Sequence, residues 1–377
     1  MIYLDYSATT PVDPSVLDSF CKAAIDYPGN SNSLHKLGVK AHELIEASTL
    51  QIANILKVKP SEIIYTSGSS ESNNLAIKGI CYKYKNRGRH IITTRFEHSS
   101  IYGPISYLQK EGFEIDFVDT DSNGMVDLEK LDKLIRDDTI LVSVASVNSE
   151  IGLRQPIDKI SRVVKKHPKC FFHVDMTQSI GKEDISLCDV DLVSFSAHKF
   201  FGLKGIGVLI KKEKIVLEPL IHGGKSTTVY RSGTPALPLI VSLAKALRLA
   251  TSDIDSKYNY VKKLNNYLKE NLQKYDLVRI NGNDYCIPQI LNFSVIGCRP
   301  ETMQHALEEY DIYISTQTAC ASGSSFSKAV LALTNSEEIA SSSLRVSLSY
   351  VTTKEEIEKF LEAFSACYER LVDLRRF

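Results

Sequence analysis

The sequence predicts an α/β protein in which a mainly parallel sheet of seven strands lies between helices and is joined to a smaller α+β domain. Short apolar runs alternate with longer amphipathic stretches from about residue 60 to residue 212. After a long helical pattern that begins near residue 236, strands and helices are mixed. A chain of 377 residues is long enough for one large and one small domain.

The elements of the large domain follow from these runs in chain order. Strands are predicted at 63–65, 90–93, 113–117, 140–144, 170–174, 192–195 and 207–210. Amphipathic stretches such as 71–84 and 157–166 separate most of them, which favours parallel strands connected by helices. A helical pattern from 236 to 272, broken near 251–253, leads to the small domain.

The small domain has a mixed pattern. Strands are predicted at 277–280, 289–293 and 344–348, and helices at 301–310 and 353–370. Thr353 and Glu356 have the spacing of a capping box at the start of the last helix. We place the large domain at residues 13–255 and the small domain at residues 1–12 and 256–377.

The composition excludes several classes of function. Lys plus Arg and Asp plus Glu both number 45, so nothing favours nucleic acid or an acidic membrane surface. No apolar run approaches the ~20 residues of a membrane span, and the first residues lack the pattern of a signal peptide. We therefore expect a cytoplasmic protein. The eight cysteines form no C-x-x-C pair and are expected to be thiols, and the histidines lack metal-ligand spacing, so no metal site is expected.

Lys199 is the most informative single residue. The run Ser194-Phe-Ser-Ala-His-Lys199 ends a predicted strand with Ser196, His198 and Lys199 in close succession. Parallel sheets gather ligands at the carboxyl ends of their strands. A lysine there can form a Schiff base with an aldehyde, and pyridoxal phosphate is the aldehyde that proteins most often keep. On this segment alone, a surface lysine at a strand end stays an alternative.

Three other strand ends carry groups that the same cofactor could use. The turn 66–71 opens a helix and could cradle a phosphate, although serine and glycine also merely cap helices. Asp175 could pair with a pyridine nitrogen or cap the next loop. His98 could stack on the ring and exchange protons with substrate, or be an ordinary polar residue. The four segments together are far more specific than any one of them.

These residues lie in motifs that resemble the cysteine desulfurases of the NifS/IscS type, which are pyridoxal-phosphate enzymes of fold type I. The resemblance covers nearly the whole chain. It is carried by Tyr3-Leu-Asp-Tyr-Ser-Ala-Thr-Thr-Pro11, the run 66–79, Glu97-His-Ser-Ser100, Phe172-His-Val-Asp175, Gln178-Ser-Ile-Gly181, Ser194-Phe-Ser-Ala-His-Lys199, Arg231-Ser-Gly-Thr-Pro235, Ala319-Cys320 and Leu344-Arg345.

The resemblance implies a role for each matching residue. Lys199 would hold the cofactor, Asp175 would pair with its pyridine nitrogen, and Arg345 would grip the carboxylate of L-cysteine. Thr234 would reach the phosphate bound by a partner subunit, which implies a homodimer with shared active sites. The cofactor-binding residues implied are Ser69, Ser70, His98, Asn148, Asp175, Gln178, Ser196, His198, Lys199 and Thr234, with Asn148 also contacting substrate.

Cys320 decides the function that the resemblance implies. The segment around it is polar and rich in small residues, which is typical of a loop, so its thiol is not a core residue. L-cysteine would be converted to L-alanine, with Lys199 moving the Cα proton and His98 the thiol proton. The sulfur would remain as a persulfide on Cys320 and pass to an acceptor protein, either an iron–sulfur scaffold or a tRNA-thiolation carrier.

The chain departs from the family pattern at Ser149, at 225–228 and at 317–318. Ser149 stands where the family has an asparagine that touches cofactor and substrate, so either Asn148 compensates or that contact is weaker. Two alternatives stay open. One is a selenocysteine lyase or another amino-acid lyase of the same fold, and the other is a non-catalytic scaffold for sulfur carriers.

Overall fold

The computed structural model describes residues 1–187, 189–316 and 326–373. Cys320 and the departures at 317–318 lie outside these described residues.

A seven-stranded sheet organises the large part of the molecule. Its strands are β2 (Ile63–Thr66), β3 (His90–Thr93), β4 (Glu114–Phe117), β5 (Thr139–Ala145), β6 (Phe171–Asp175), β7 (Leu192–Ser196) and β8 (Gly207–Lys211). Their order across the sheet is β2-β8-β7-β6-β5-β3-β4, and β8 runs antiparallel to both neighbours while the other pairs are parallel. The prediction of a mainly parallel seven-stranded sheet is confirmed.

Helices cover this sheet on both sides. They are α1 (Pro14–Asp26), α2 (Lys36–Leu56), α3 (Ser69–Tyr84), α4 (Ser99–Lys110), α5 (Leu128–Leu134), α6 (Ile157–Val164) and α7 (Leu237–Thr251). One apolar cluster holds α1, α2, α6 and α7 against the sheet, and a second holds α3 and α4. Central strands are buried on both faces, as β5 and β7 show along their full length, because helices cover both sides.

The remaining elements form two small sheets and their covering helices. Strand β1 (Ile2–Tyr3) pairs in parallel with β11 (Ile312–Tyr313), and β10 (Ile290–Val295) lies between β9 (Val278–Ile280) and β12 (Ser343–Ser347). The helices are α8 (Ile254–Leu272), α9 (Pro300–Glu308), α10 (Lys328–Thr334), α11 (Glu337–Ser341) and α12 (Lys354–Asp373). Leu4 is buried in the same apolar cluster as α8, α9 and α12. The domain boundaries stay a prediction.

Two local predictions are confirmed by hydrogen bonds and dihedral angles. The long helical pattern breaks between α7 and α8, where Asp253 has a left-handed φ of 51°. At α12 the N–H of Glu356 donates to Thr353 Oγ1 at 3.2 Å and the N–H of Thr353 donates to Glu356 Oε2 at 2.9 Å, which is the capping box. Among the described residues, no helix is both long and apolar enough to cross a membrane.

Candidate active site

The carboxyl ends of neighbouring strands meet at one cavity. Its volume of about 220 Å3 exceeds the ~30 Å3 of a single water several-fold, so it can hold an organic ligand. Its lining residues are Ser7, Ala8, Ser69, Ser70, Phe96, His98, Ala145, Val147, Ser149, Asp175, Thr177, Gln178, His198, Lys199 and Arg345. Eight predicted site residues are therefore brought together: Ser69, Ser70, His98, Asp175, Gln178, His198, Lys199 and Arg345.

Lys199 reaches the cavity because β7 ends in a single 3-10 turn, Ala197–Lys199. Its Nζ donates to the carbonyl oxygens of Ser7 at 2.7 Å and Ala8 at 2.8 Å. The backbone of the same N-terminal segment is tied to the turn, since the N–H of Thr10 donates to the carbonyl of His198 at 2.9 Å. The position of the lysine amine is thus fixed by two carbonyls from a segment far away in sequence.

Asp175 ends β6 with a buried carboxylate. Its Oδ1 accepts from the N–H of Thr177 at 3.0 Å and from Thr177 Oγ1 at 2.5 Å, and its Oδ2 accepts from Asn73 Nδ2 at 2.8 Å. These donors hold the carboxylate in place at the cavity wall. A protonated ring nitrogen would supply the opposite charge that this buried anion calls for.

The amino end of α3 provides an anion site on the same cavity. Gly68 is the N-cap residue and has no side chain of its own to cap the helix, and the amino end of a helix attracts anions. The N–H of Ser69 donates to Ser196 Oγ at 2.6 Å, which places Ser196 behind the turn. The turn packs closely on β8, because a Cβ on Gly207 would lie 2.6 Å from the Cα of Gly68. Only glycine therefore fits at position 207.

Two histidines line the cavity in the neutral form. Burial is the largest cause of a lowered pKa at His98; Asp175 opposes this effect and Lys199 adds to it. Burial also lowers the pKa of His198 to about 4, with the Lys199 and Lys204 charges acting in the same direction. Neutral rings can accept or donate single hydrogen bonds, as binding a phosphate or a sulfur requires.

Arg345 is almost fully buried, with only 1% of its side chain exposed. Its Nη2 donates to Asp5 Oδ1 at 2.8 Å and its Nη1 to the carbonyl of Ser149 at 2.9 Å. Within the described residues, its buried Nε has no hydrogen-bond partner. An unsatisfied buried donor costs ~1–3 kcal/mol, so this guanidinium is prepared for an incoming acceptor such as a carboxylate.

Gln178 lines the cavity, and Lys182 contacts it from outside the lining. Gln178 Nε2 donates to the carbonyl of Ser7 at 2.9 Å, and Lys182 Nζ donates to Gln178 Oε1. Burial, together with the charges of Lys199 and Arg345, lowers the pKa of Lys182 to about 7. Lys182 and the Ser7 carbonyl therefore fix the orientation of the Gln178 amide.

Three predicted site residues are not on the cavity. Asn148 Nδ2 donates to the carbonyl of Phe96 at 2.8 Å, and its Oδ1 accepts from the N–H of both Glu150 and Ile151 at 2.9 Å. Both ends of its amide are therefore already bonded to backbone groups, and Ser149 lines the cavity instead. Ser196 accepts the N–H of Ser69 and does not line the cavity. Thr234 is exposed and also lies outside the cavity lining.

Several residues at the cavity were missed from the sequence. Thr177 and Asn73 hold Asp175, Asp5 pairs with Arg345, and Lys182 orients Gln178. Each lies inside or next to one of the motifs that carry the family resemblance, and this position is the one sequence feature that could have indicated its role. Nothing local distinguishes them from ordinary polar residues, because their partners come from distant parts of the chain.

The cavity fits the pyridoxal phosphate that the resemblance implies. It offers an anion site at the start of α3, a buried carboxylate at Asp175 and a lysine amine at Lys199. The orphaned Nε of Arg345 adds a site for a substrate carboxylate. These are the complementary charges for a phosphate, a protonated ring nitrogen, an aldehyde and an amino acid.

Comparison with known proteins agrees with this fit. Residues 2–360 match the family model "Aminotransferase class-V". A protein of Lactobacillus delbrueckii subsp. bulgaricus described as a NifS/IcsS protein homolog is 41% identical over 98% of this chain and 97% of its own length. A Vibrio cholerae protein named cysteine desulfurase IscS is 40% identical over 98% of this chain and 93% of its own length.

Solved structures give the same result. A NifS-like protein superposes with a TM-score of 0.93 at 36% identity, covering 98% of this chain and 100% of its own. SspA in complex with cysteine superposes with a TM-score of 0.83 at 32% identity, covering 94% of this chain and 100% of its own. The chain therefore belongs to the aminotransferase class-V family and, within it, to the NifS/IscS cysteine desulfurases, which use pyridoxal phosphate.

Proposed function

We propose that this enzyme converts L-cysteine to L-alanine and transfers the sulfur, as a persulfide on Cys320, to an acceptor protein. The observation that carries the proposal is the convergence of Lys199, Asp175, His98 and Arg345 on one cavity. The relative solved in complex with cysteine supports the choice of substrate.

The residues that would hold the cofactor follow from their charges. The amino end of α3, with Ser69, Ser70 and His198, would bind the phosphate, and Asp175 would face the ring nitrogen. Gln178 would face the phenolic oxygen. Bound there, pyridoxal phosphate supplies an electron sink that lowers the barrier to removing a proton from the Cα of an amino acid.

Arg345 would bind the substrate carboxylate. Its planar guanidinium can engage two oxygens, and its Nε donor is buried without a partner among the described residues. Asp5 holds the guanidinium from the other side through Nη2. Substrate orientation would therefore be set by a cation that is already fixed before the ligand arrives.

Lys199 would move the proton at the substrate Cα. Its amine lies on the same cavity as Arg345, held by the carbonyls of Ser7 and Ala8. A carboxylate held by Arg345 places the Cα of a small amino acid inside this cavity. The substrate is then positioned between one group that binds it and one that exchanges its proton.

Cys320 lies outside the described residues, and its role comes from the resemblance. The residue pairing at the start of its segment supports this role. The N–H of Arg345 donates to the carbonyl of Ser315 at 2.7 Å, and the N–H of Ser315 donates back at 3.1 Å. Ser315, five residues before Cys320 in sequence, is therefore paired with the residue proposed to bind the substrate. A thiolate attacking the substrate sulfur would receive it as a persulfide while the carbon fragment leaves as alanine.

We infer a homodimer with shared sites from Thr234, which is exposed and outside the cavity of its own chain. The acceptor is proposed to be an iron–sulfur scaffold or a tRNA-thiolation carrier in the cytoplasm.

The test compares Cys320→Ala with wild type, using Cys21→Ala as the control because Cys21 is an exposed, free thiol on α1. With L-cysteine and a reductant, wild type and the Cys21 variant should release alanine and sulfide, while Cys320→Ala keeps the visible absorbance of the bound cofactor and loses sulfide release. Full turnover by Cys320→Ala would instead indicate an amino-acid lyase that makes no persulfide, and turnover of L-selenocysteine only would indicate a selenocysteine lyase. A purified protein with no visible cofactor absorbance would indicate the scaffold.

A further inference from the structure

A continuous row of buried hydrogen bonds links Asp175 to His98. Asn73 Nδ2 donates to Asp175 Oδ2 at 2.8 Å and also lies 2.8 Å from Ser100 Oγ. Ser100 Oγ lies 2.9 Å from His98 Nδ1. Asn73 and Ser100 are buried, and neither lines the cavity. They act on the site only through the two residues that they join.

The direction of these bonds follows from the carboxylate. Asp175 is held by donors on both oxygens, so the Asn73 atom facing it must be the amide nitrogen. Turning the Asn73 amide over would place two acceptor oxygens 2.8 Å apart. The second hydrogen of the amide then points to Ser100 Oγ, which accepts it. The hydroxyl hydrogen of Ser100 remains for His98.

His98 Nδ1 is consequently an acceptor. It receives the hydroxyl hydrogen of Ser100 and also lies 3.2 Å from the backbone N–H of the same residue, because His98 is the N-cap of α4. An imidazole nitrogen with two donors directed at it carries no proton. The ring proton of neutral His98 therefore sits on Nε2, the nitrogen that is available to the cavity.

We propose that Asn73 and Ser100 are positioning residues that hold His98 as the Nε2–H tautomer, so that His98 enters the reaction as a hydrogen-bond donor rather than as a base. The inference rests on the proposed function and deepens it, because it changes the part played by His98. A neutral ring with its proton on Nε2 stabilises a sulfur anion by donating to it, and it has no free lone pair with which to take a thiol proton.

The charges around the ring agree with this assignment. Burial and the Lys199 charge disfavour the imidazolium, against the opposite effects of Asp175 and Glu150. The two donors at Nδ1 disfavour it further. His98 is thus kept neutral by its surroundings and kept in one tautomer by Ser100.

The tautomer can be read directly in the cofactor-free protein by NMR of 15N-labelled histidine, with His98→Gln assigning the signal. We expect the neutral ring to show a protonated Nε2 and an acceptor Nδ1. A protonated Nδ1 in wild type, or an imidazolium at neutral pH, overturns the proposal. Because this readout needs neither cofactor nor turnover, it is independent of whether the proposed reaction is correct.

Two variants test the relay, with a matched control. Ser100→Ala should raise the pH at which the His98 ring titrates, and Asn73→Ala should do the same by freeing the Ser100 hydroxyl to rotate. Ser99→Ala, one residue away and exposed, should leave the titration at its wild-type pH. In the loaded enzyme, Ser100→Ala should lower kcat roughly 2- to 10-fold with little change in KM, the range expected for one lost hydrogen bond. Unchanged His98 signals in Ser100→Ala overturn the relay, even if Asn73→Ala fails to fold.

Discussion

Replacing Asp5 by asparagine should destabilise the protein and, at the same time, make it respond more strongly to substrate-like ligands. Asp5 supplies the carboxylate that pairs with Arg345, whose side chain is 1% exposed. Asparagine preserves the shape and an acceptor oxygen, so the variant removes charge and little else. The other hydrogen bond of Arg345, to the carbonyl of Ser149, stays in place.

The magnitude follows from two contributions. Asparagine keeps a hydrogen bond to the charged guanidinium but loses the ion pair, and we expect this loss to remove about 1 kcal/mol of stability. Leaving a buried cation without its charged partner can raise the total loss of stability towards ~3–5 kcal/mol. The Asp5 side chain is 20% exposed, so water offsets part of this penalty. We therefore expect Asp5→Asn to lower the free energy of unfolding by about 2–3 kcal/mol.

The assay is urea unfolding of the cofactor-loaded protein at neutral pH, with and without saturating L-alanine. A ligand carboxylate replaces the missing negative charge beside Arg345, so L-alanine should stabilise Asp5→Asn more than wild type. Asp18→Asn is the control, because Asp18 pairs with Lys22 at an exposed position and should change nothing measurable. Equal stability of Asp5→Asn and wild type, or equal stabilisation of both by L-alanine, would refute the reasoning.

Three further predictions concern the turn at residues 66–71, which precedes α3, and two ionisable groups. Gly207→Ala should displace Gly68, lower the free energy of unfolding by ~1–3 kcal/mol and weaken cofactor binding, measured by urea unfolding and by cofactor titration. Burial raises the pKa of Glu97 to about 8. The stability that the protonated Glu97 carboxyl contributes is therefore complete below the usual carboxyl pKa and is lost as the pH rises through about 8. Glu97→Gln should abolish this decline in the free energy of unfolding, which amounts to up to ~1.4 kcal/mol per pH unit. Burial lowers the pKa of Lys182 to about 7, so the free energy of unfolding should rise with pH from about 7 towards the usual lysine pKa. The slope should be smaller than for Glu97, because the Lys182 side chain is partly exposed. Lys182→Met should lack this rise.

Each of these expectations has a clear contrary result. Gly103→Ala is the control for Gly207→Ala, because a Cβ at Gly103 meets nothing within 4 Å, and similar losses in both variants would contradict the close packing at Gly207. A Glu97→Gln stability profile parallel to that of wild type between pH 5 and 8 would mean that the carboxyl is ionised in the folded state. A Lys182→Met profile that still rises above pH 7 would assign the effect to another group.

Most strands of the large sheet could be predicted because they are short apolar runs buried on both faces, where helices leave little room for polar residues. All seven predicted runs overlap a strand, including the edge strand β4, which alternates polar and apolar residues and is not buried. The order of the strands could not be predicted, because pairing joins segments far apart in sequence, as β2 with β8. Strands β1 and β11 were missed because two residues each are too few to show a period.

The site could be predicted where a motif ends a strand, as with Lys199, Asp175 and His98. Asn148 could not be placed, because the sequence does not reveal that its amide bonds the Phe96 carbonyl and the N–H groups of its own loop, while Ser149 lines the cavity. Asn73 and Lys182 were overlooked for a related reason. Their roles depend on partners that only the folded chain brings within hydrogen-bond distance.

The N-terminal segment links Lys199 and Arg345, the two residues proposed to act on the same substrate. Asp5 pairs with Arg345, and two and three residues later the carbonyls of Ser7 and Ala8 accept from Lys199. The N–H of Ser7 also donates to Ser347 Oγ at 2.9 Å, two residues beyond Arg345 on β12. Four consecutive residues, 5–8, therefore connect the group proposed to bind the carboxylate with the group proposed to move the Cα proton. Because both contacts are made by one short stretch of backbone, a shift of this segment would move the two groups together, and their spacing is set by the chain itself rather than by the packing of separate loops.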